Sequence, residues 1–265
     1  MAEGERRYVV DVGLQGLPYP ARVVSRAEPE GQHTVVGISI SARVNQEFEA
    51  KWIRTLIQIV HSHREAIGTR TLRKNVQDYL DKLNATDVSV TFDYPFFVEK
   101  TTPVSKEKGR VRLMCAYTAK ASSSAGKQRV SFKIQVPCLT TYPGTSIDQP
   151  GGFLAQLSSL VIETESDGDI YPEDIVDIVD QKALAPVYSF LSERDEEHII
   201  HQVHSQRRTS IEVADDVKQA LAKRGDIAWF SIRAVNYGLL HSYATVIGTE
   251  RSIWGSPLDW EAFGR

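Results

Sequence analysis

The feature that most constrains this chain is a period-two alternation that recurs in long runs and is twice interrupted by helical periodicity. Over 34–44, Val36, Ile38, Ile40, Ala42 and Val44 alternate with smaller or polar residues, as in a strand with one buried face. Residues 21–26 read as its partner, joined through the turn chemistry of Glu28-Pro29-Glu30-Gly31. Residues 86–94 place Val88, Val90, Phe92 and Tyr94 on one face. After a long loop, 111–119 does the same with Val111, Leu113, Cys115, Tyr117 and Ala119. Val130–Val136 alternates through Phe132 and Ile134, and 156–164 is a further strand. Residues 227–235 and 239–247 read as a closing hairpin in which His241 shares a face with Leu239, Tyr243 and Ile247.

Strands with one apolar face need a second layer, and the helical stretches supply it. One runs from about Asn45 through Phe48, Trp52, Leu56, Ile59 and His63, and a second carries Leu72, Val76, Leu80 and Leu83. Pro172-Glu173-Asp174 starts a third, with Ile175, Val176 and Val179, that ends before Pro186. A histidine-bearing helix follows, and another (Ile211, Ala214, Val217, Leu221) closes at Gly225. Both halves thus show two strands, two or three helices and two strands. The expectation is an α+β fold of two tandem ββααββ units with antiparallel sheets, divided as 1–110 and 111–248. Residues 249–265 form a tail whose Trp254, Trp260 and Phe263 dock on the body or on another subunit.

With 31 basic and 34 acidic residues the net charge is −3, which argues against a general polyanion or nucleic-acid binder. No apolar run reaches the roughly 18 residues a membrane span needs, and the charged Met1–Arg7 segment has no leader-like apolar core. Cys115 and Cys138, the only cysteines, fit a reduced cytoplasmic protein and cannot build a four-sulfur zinc site.

Asp195 to His204 holds three of the seven histidines at a spacing of three. On a helix, His198, His201 and His204 cover an arc of roughly 120°, with Ile199, Ile200 and Val203 on the opposite, buried face. Such a stripe is either a solvated face or subunit contact, or a row facing a pocket with a metal ligand or acid/base group. His61 and His63 sit near a helix C-terminus and complement its dipole.

Several segments together resemble the type IB GTP cyclohydrolases, a family of the tunnelling fold. They are Asp11-Val12-Gly13-Leu14-Gln15-Gly16-Leu17, Tyr94–Lys100 with Thr102-Pro103-Val104-Ser105 as a central loop motif, Leu191–His201, Trp229-Phe230, and Asn236-Tyr237 with His241. The resemblance implies a homo-oligomer that closes its strands into barrels, with active sites between subunits. It also implies a divalent metal, commonly zinc, that activates water to attack the guanine ring of GTP, and a carboxylate that holds the guanine edge. The family's Cys-Pro-Cys falls on Tyr142-Pro143-Gly144, its loop histidine on Leu154, its helical glutamate ligand on His201 and its last histidine ligand on His241.

Imidazole thus occupies two of these five positions and sulfur none. The resulting expectation is a metal-independent enzyme acting on a purine-derived, pterin-like or other planar heterocycle or nucleotide. His201 and His241 act as acid and base, and Tyr142 is a further proton donor. Glu212 either meets the guanine edge or is an exposed helix acid, and Arg207 and Arg208 either meet a triphosphate or form a solvated basic pair. If zinc binds, His201 and His241 hold it with His198 or His204. The remaining alternatives are a true GTP cyclohydrolase with that rearranged site and a non-catalytic scaffold or partner protein. Glu99 and Lys100 either line the pocket or pair with each other.

Overall fold

The computed structural model describes residues 10–44, 51–62, 67–124, 128–238 and 240–251. Phe48, His63, Leu239, the Met1–Arg7 segment and the tail aromatics Trp254, Trp260 and Phe263 lie outside the described residues. The elements are β1 (Val10–Val23), β2 (Gln32–Val44), α1 (Lys51–Ser62), α2 (Thr69–Lys82), β3 (Ala85–Thr101), β4 (Lys108–Ser122) and β5 (Arg129–Thr141). They continue with β6 (Ala155–Ser166), α3 (Pro172–Lys182), β7 (Ala185–Pro186), α4 (Glu193–Ser205), α5 (Ser210–Ala222), β8 (Ile227–Tyr237) and β9 (Ala244–Glu250).

The alternation does what one-sided strands must do. Val36 to Val44, Val88 to Val98, Val111 to Ala121 and Val130 to Cys138 turn their apolar positions onto one face, where they share one core with α1, α2, α3 and α5. All strands join one antiparallel sheet in the order β1-β2-β3-β4-β5-β6-β8-β9, with the two-residue β7 beside the end of β5. The two halves are therefore fused edge to edge through β4 and β5, and the expected α+β architecture with antiparallel sheets is present. The division at residue 110 falls within the first residues of β4.

Three strands extend beyond their expected limits, each past a proline. β1 begins at Val10 and not near residue 21, although Pro18 and Pro20 interrupt its pattern. As an edge strand it needs only one ladder, and a register slip between Leu14 and Leu17 is absorbed at Gly16 (φ +65°). β3 passes Pro95 because its ladder with β2 ends at Asp93, beyond which the Gln32 side chain bonds Phe97 N and O instead. The long loop before 111 is thereby reduced to 102–107, and Tyr94–Lys100 is strand, not loop. β5 passes Pro137 because its ladder with β4 ends at Gln135.

The histidine helix α4 is not part of the main core. Its Ile199 and Val203 pack in a separate cluster with Leu184 and Ala185, flanked by Leu139, Ala155, Tyr188 and Leu191. Ile200, expected on the buried face, is 55% exposed, because the inward stripe follows Asp195, Ile199 and Val203 at a spacing of four. What positions α4 is polar. Asp195 is fully buried and accepts from Val104 N (2.8 Å) and Ser105 N (3.0 Å) through one oxygen. The other oxygen accepts from Ser105 Oγ (2.6 Å), Ser192 Oγ (2.6 Å) and Ser192 N (3.1 Å). One carboxylate thus closes the capping box of α4 and ties that helix to the 102–107 turn of the other half. Nearby, Lys100 pairs with Asp180 of α3 at 2.7 Å, while Glu99 pairs with Lys108 at 2.7 Å. Both side chains therefore have structural partners, and they do not pair with each other.

Among the described residues no helix is long and apolar enough to cross a membrane.

Burial raises the Asp195 carboxyl, but the Ser105 and Ser192 hydroxyls and the Ser105 and Val104 amides outweigh it and hold the group far below the ordinary range. A depressed folded value stabilises the protein above the unfolded pKa of about 3.9, and that contribution is lost as pH falls through the folded value. Asp195→Asn is expected to lower Tm at pH 7 and to flatten the acid limb of a Tm-against-pH curve. Burial raises the Asp180 carboxyl, with Lys100 opposing, so this pair holds geometry more than it adds stability. Lys100→Met should cost roughly 3 kcal/mol by urea denaturation, and Lys100→Met with Asp180→Leu should recover most of it.

Candidate active site

The site lies where β5 and β8 leave the sheet and β6 and β9 enter it. Thr141, the last residue of β5, donates its N–H to Arg208 O at 2.7 Å and accepts Arg208 N–H on its hydroxyl at 2.7 Å. The α4–α5 connection is thereby fixed to the strand end. Tyr142 follows and donates its N–H to Leu154 O (2.8 Å), so the intervening 143–153 segment returns on itself. Gly152 (φ +70°) carries that segment against α4, with Phe153 N–H on His204 O at 3.3 Å. A Cβ at Gly152 would stand 2.5 Å from His204 O, which is why the position is glycine.

A cleft of ≈ 400 Å³ opens beside this turn. Tyr142, Pro143 and Gly144 form one wall, Gln156 of β6 and Asn236 of β8 line it from the sheet, and Arg207 with the Thr209–Ile211 start of α5 forms another. The β8–β9 connection closes it with Gly238, His241 and Tyr243. His241 is not on a strand, as its alternation with Tyr243 suggested, but in the turn before β9, where its ring stacks on Tyr243 at 5.0 Å. A tight turn needs residue 238 to be glycine, since a Cβ there would meet Tyr243 O at 2.8 Å.

Of the expected site residues, the cleft collects Tyr142, Arg207 and His241. His201 is exposed on α4 with His198 and His204, outside the cleft of its own chain. Glu212 is the third residue of α5 and completes its capping box. One of its oxygens takes Thr209 N–H (2.7 Å) and hydroxyl (2.8 Å), and the other takes Arg207 at 3.3 Å. These partners, chiefly the Thr209 amide and hydroxyl, hold its carboxyl below the usual range. Arg208 points away from the cleft, to Lys182 O (2.9 Å) and Asp216. Glu212 is thus engaged by the capping box that the spacing of Thr209 and Glu212 signals, and Arg208 by Lys182 and Asp216.

The donor set at the five positions where the resemblance places metal-binding side chains does not fit zinc. Gly144 has no side chain, Leu154 is aliphatic, Tyr142 offers a phenol, and only His201 and His241 are imidazoles. Cys138 cannot replace the missing thiolate. It is fully buried within β5, and burial pushes its thiol up to about 12. Among the described residues no three His, Cys, Asp or Glu side chains converge.

Sequence reasoning missed Gln156 and the start of α5. The first had a signal. Gln156 stands at an inward position of β6, in phase with Ser158, Leu160 and Ile162, where an apolar residue is the rule. Thr140, Ser158 and Asn236 form a buried chain beside it: the Thr140 and Ser158 hydroxyls are 2.7 Å apart, and Ser158 donates to Asn236 Oδ1 at 2.8 Å.

A family model described as type I GTP cyclohydrolase FolE2 matches residues 3–246. The chain is 26% identical over 243 residues to the GTP cyclohydrolase FolE2 of Geobacter sp. (strain M21), covering 91% of this chain and 89% of that protein. It is 25% identical over 232 residues to that of Syntrophus aciditrophicus (strain SB), covering 88% and 90%. These matches correct the family read from the residues: the description they carry is FolE2, not type IB. Among solved structures, the chain resembles the urate oxidase of Bacillus sp. TB-90 (TM-score 0.57, 10% identity, 92% of this chain and 100% of that one). It also resembles the uricase of Arthrobacter globiformis (TM-score 0.51, 9% identity, 97% and 98%). These likenesses show the tunnelling-type fold.

Gly152→Ala tests the seat of the 143–153 segment on α4. It should lower stability by about 1–2 kcal/mol or more, from left-handed backbone and the His204 O clash together, and show raised hydrogen exchange at Tyr142 and Phe153.

Proposed function

The chain belongs to the type I GTP cyclohydrolase FolE2 family, and from that premise we propose that it is an enzyme acting on a purine-derived or pterin-like heterocycle by proton transfer without a metal. The observation that supports this reading most is the convergence of Tyr142, Arg207 and His241 in one cleft. His241 is the acid/base group, an imidazole being suited to move protons near neutral pH. Tyr142, which lines the same cleft, is a second proton donor. Arg207 and the N-terminal end of α5 provide positive potential for phosphate or for negative charge developing on the ring.

The working form is a homo-oligomer with the cleft at a subunit contact. Tyr243 and Ile211, which line it, are 60% and 59% exposed, and Leu240 in the same turn as His241 is 70% exposed, an apolar surface that a second subunit would cover. His201 takes part only from a neighbouring subunit in such an arrangement.

The test is turnover of GTP and of purine and pterin analogues by chelator-treated protein whose zinc content is measured on the same sample. Activity is expected to survive chelation, and His241→Ala to lower kcat/KM by about 100-fold or more, mainly through kcat. Activity that disappears on chelation and returns with one zinc per chain would replace this reading with a rearranged metal site.

A further inference from the structure

Gln156 lies opposite Thr140 in the β5–β6 ladder, on the face of the sheet that the helices cover. It is 5% exposed, it lines the cleft, and its amide nitrogen has no hydrogen-bond partner among the described residues. The polar groups around it differ. Thr140, Ser158 and Asn236 bond one another, and Thr141 bonds Arg208. A buried amide without a partner destabilises the folded protein, and natural proteins seldom retain one. A leucine would fill the position at no such cost. Keeping the amide makes sense if a bound molecule completes it.

Beside it, α5 begins at Ser210. The N–H groups of Ser210 and Ile211 have no intrahelical acceptor, and both residues line the same cleft. Glu212, the carboxylate expected at the ring edge, is consumed by Thr209 and Arg207.

We propose that Gln156, not Glu212, recognises the heterocycle. This rests on the cleft being the heterocycle site proposed above. A carboxylate accepts two donors and so selects the N1–H and 2-amino edge of guanine. A carboxamide offers one donor and one acceptor, and a turn about its last torsion exchanges them. Its complement is the –C(=O)–NH– lactam edge shared by oxopurines and pterins, with the α5 amides left for a second oxygen or a phosphate. The ligand class is thus set by the lactam, and the 2-amino group adds nothing to binding.

The test compares GTP and ITP, which differ only in that 2-amino group, by calorimetric titration of wild-type protein and Gln156→Leu, with the Tm of each unliganded protein. Wild type should bind the two nucleotides within about threefold of each other. Gln156→Leu should lose about tenfold or more for both, the scale of one buried hydrogen bond, with an unliganded Tm equal to or above wild type. Strong preference for GTP, or unchanged binding by the leucine variant, overturns the role of Gln156 and leaves the purine-site reading standing. A leucine variant less stable than wild type shows the amide bonded within the fold and overturns it as well. Wild type that binds neither nucleotide removes the purine site itself, and the assignment with it.

Discussion

Everything in this molecule depends on the ladder between β4 and β5. Seven residue pairs, from Met114–Gln135 to Lys120–Arg129, join the strands of one half to those of the other. Because side chains alternate across a strand, that register also decides that Cys115, Tyr117 and Ala119 fall on the same face as Val130, Phe132 and Ile134. A slip of one residue would turn one set to solvent. With the register fixed, a single apolar layer runs from Val36 through Tyr117 and Phe132 to Ile232, and α2, α3 and α5 share it.

The cleft arises where this layer ends. Beyond Cys138 of β5 and Leu160 of β6 the inward positions become polar, with Thr140, Ser158 and Gln156, and the covering helix begins rather than continues. A helix start supplies unpaired N–H groups, and a strand end supplies a turn free to carry side chains such as Tyr142. Neither needs apolar burial, so geometry here is held by hydrogen bonds: Thr141 to Arg208, Tyr142 to Leu154, Phe153 to His204. The helix behind the cleft is secured in the same manner, through Asp195 and the 102–107 turn. The site is thus a polar junction attached to an apolar body.

The histidines show how unevenly such a junction is legible in sequence. Three at a spacing of three on α4 formed the most conspicuous pattern in the chain, yet all three are exposed. His241, unremarkable in a turn, reaches the cleft. Glu212 and Arg207 stood at plausible binding positions, but the capping box of α5 engages the carboxylate, and the arginine lines the cleft while also touching it. Spacing along a helix gives angular separation; it does not tell which face meets a void, because that depends on a neighbouring element from elsewhere in the chain.

By itself, the sequence determined the one-sided strands, the helices that cover them, and their order in two similar halves. These are local properties, written in periodicity and side-chain chemistry. Only the tertiary structure decided that prolines 18, 95 and 137 sit within strands, since that depends on whether a second ladder runs beside each of them. It also decided that Asp195 serves two distant segments and that Gln156 lines a cleft with its amide nitrogen unpaired. Such facts belong to pairs of groups far apart in sequence, and only the closed sheet brings them together.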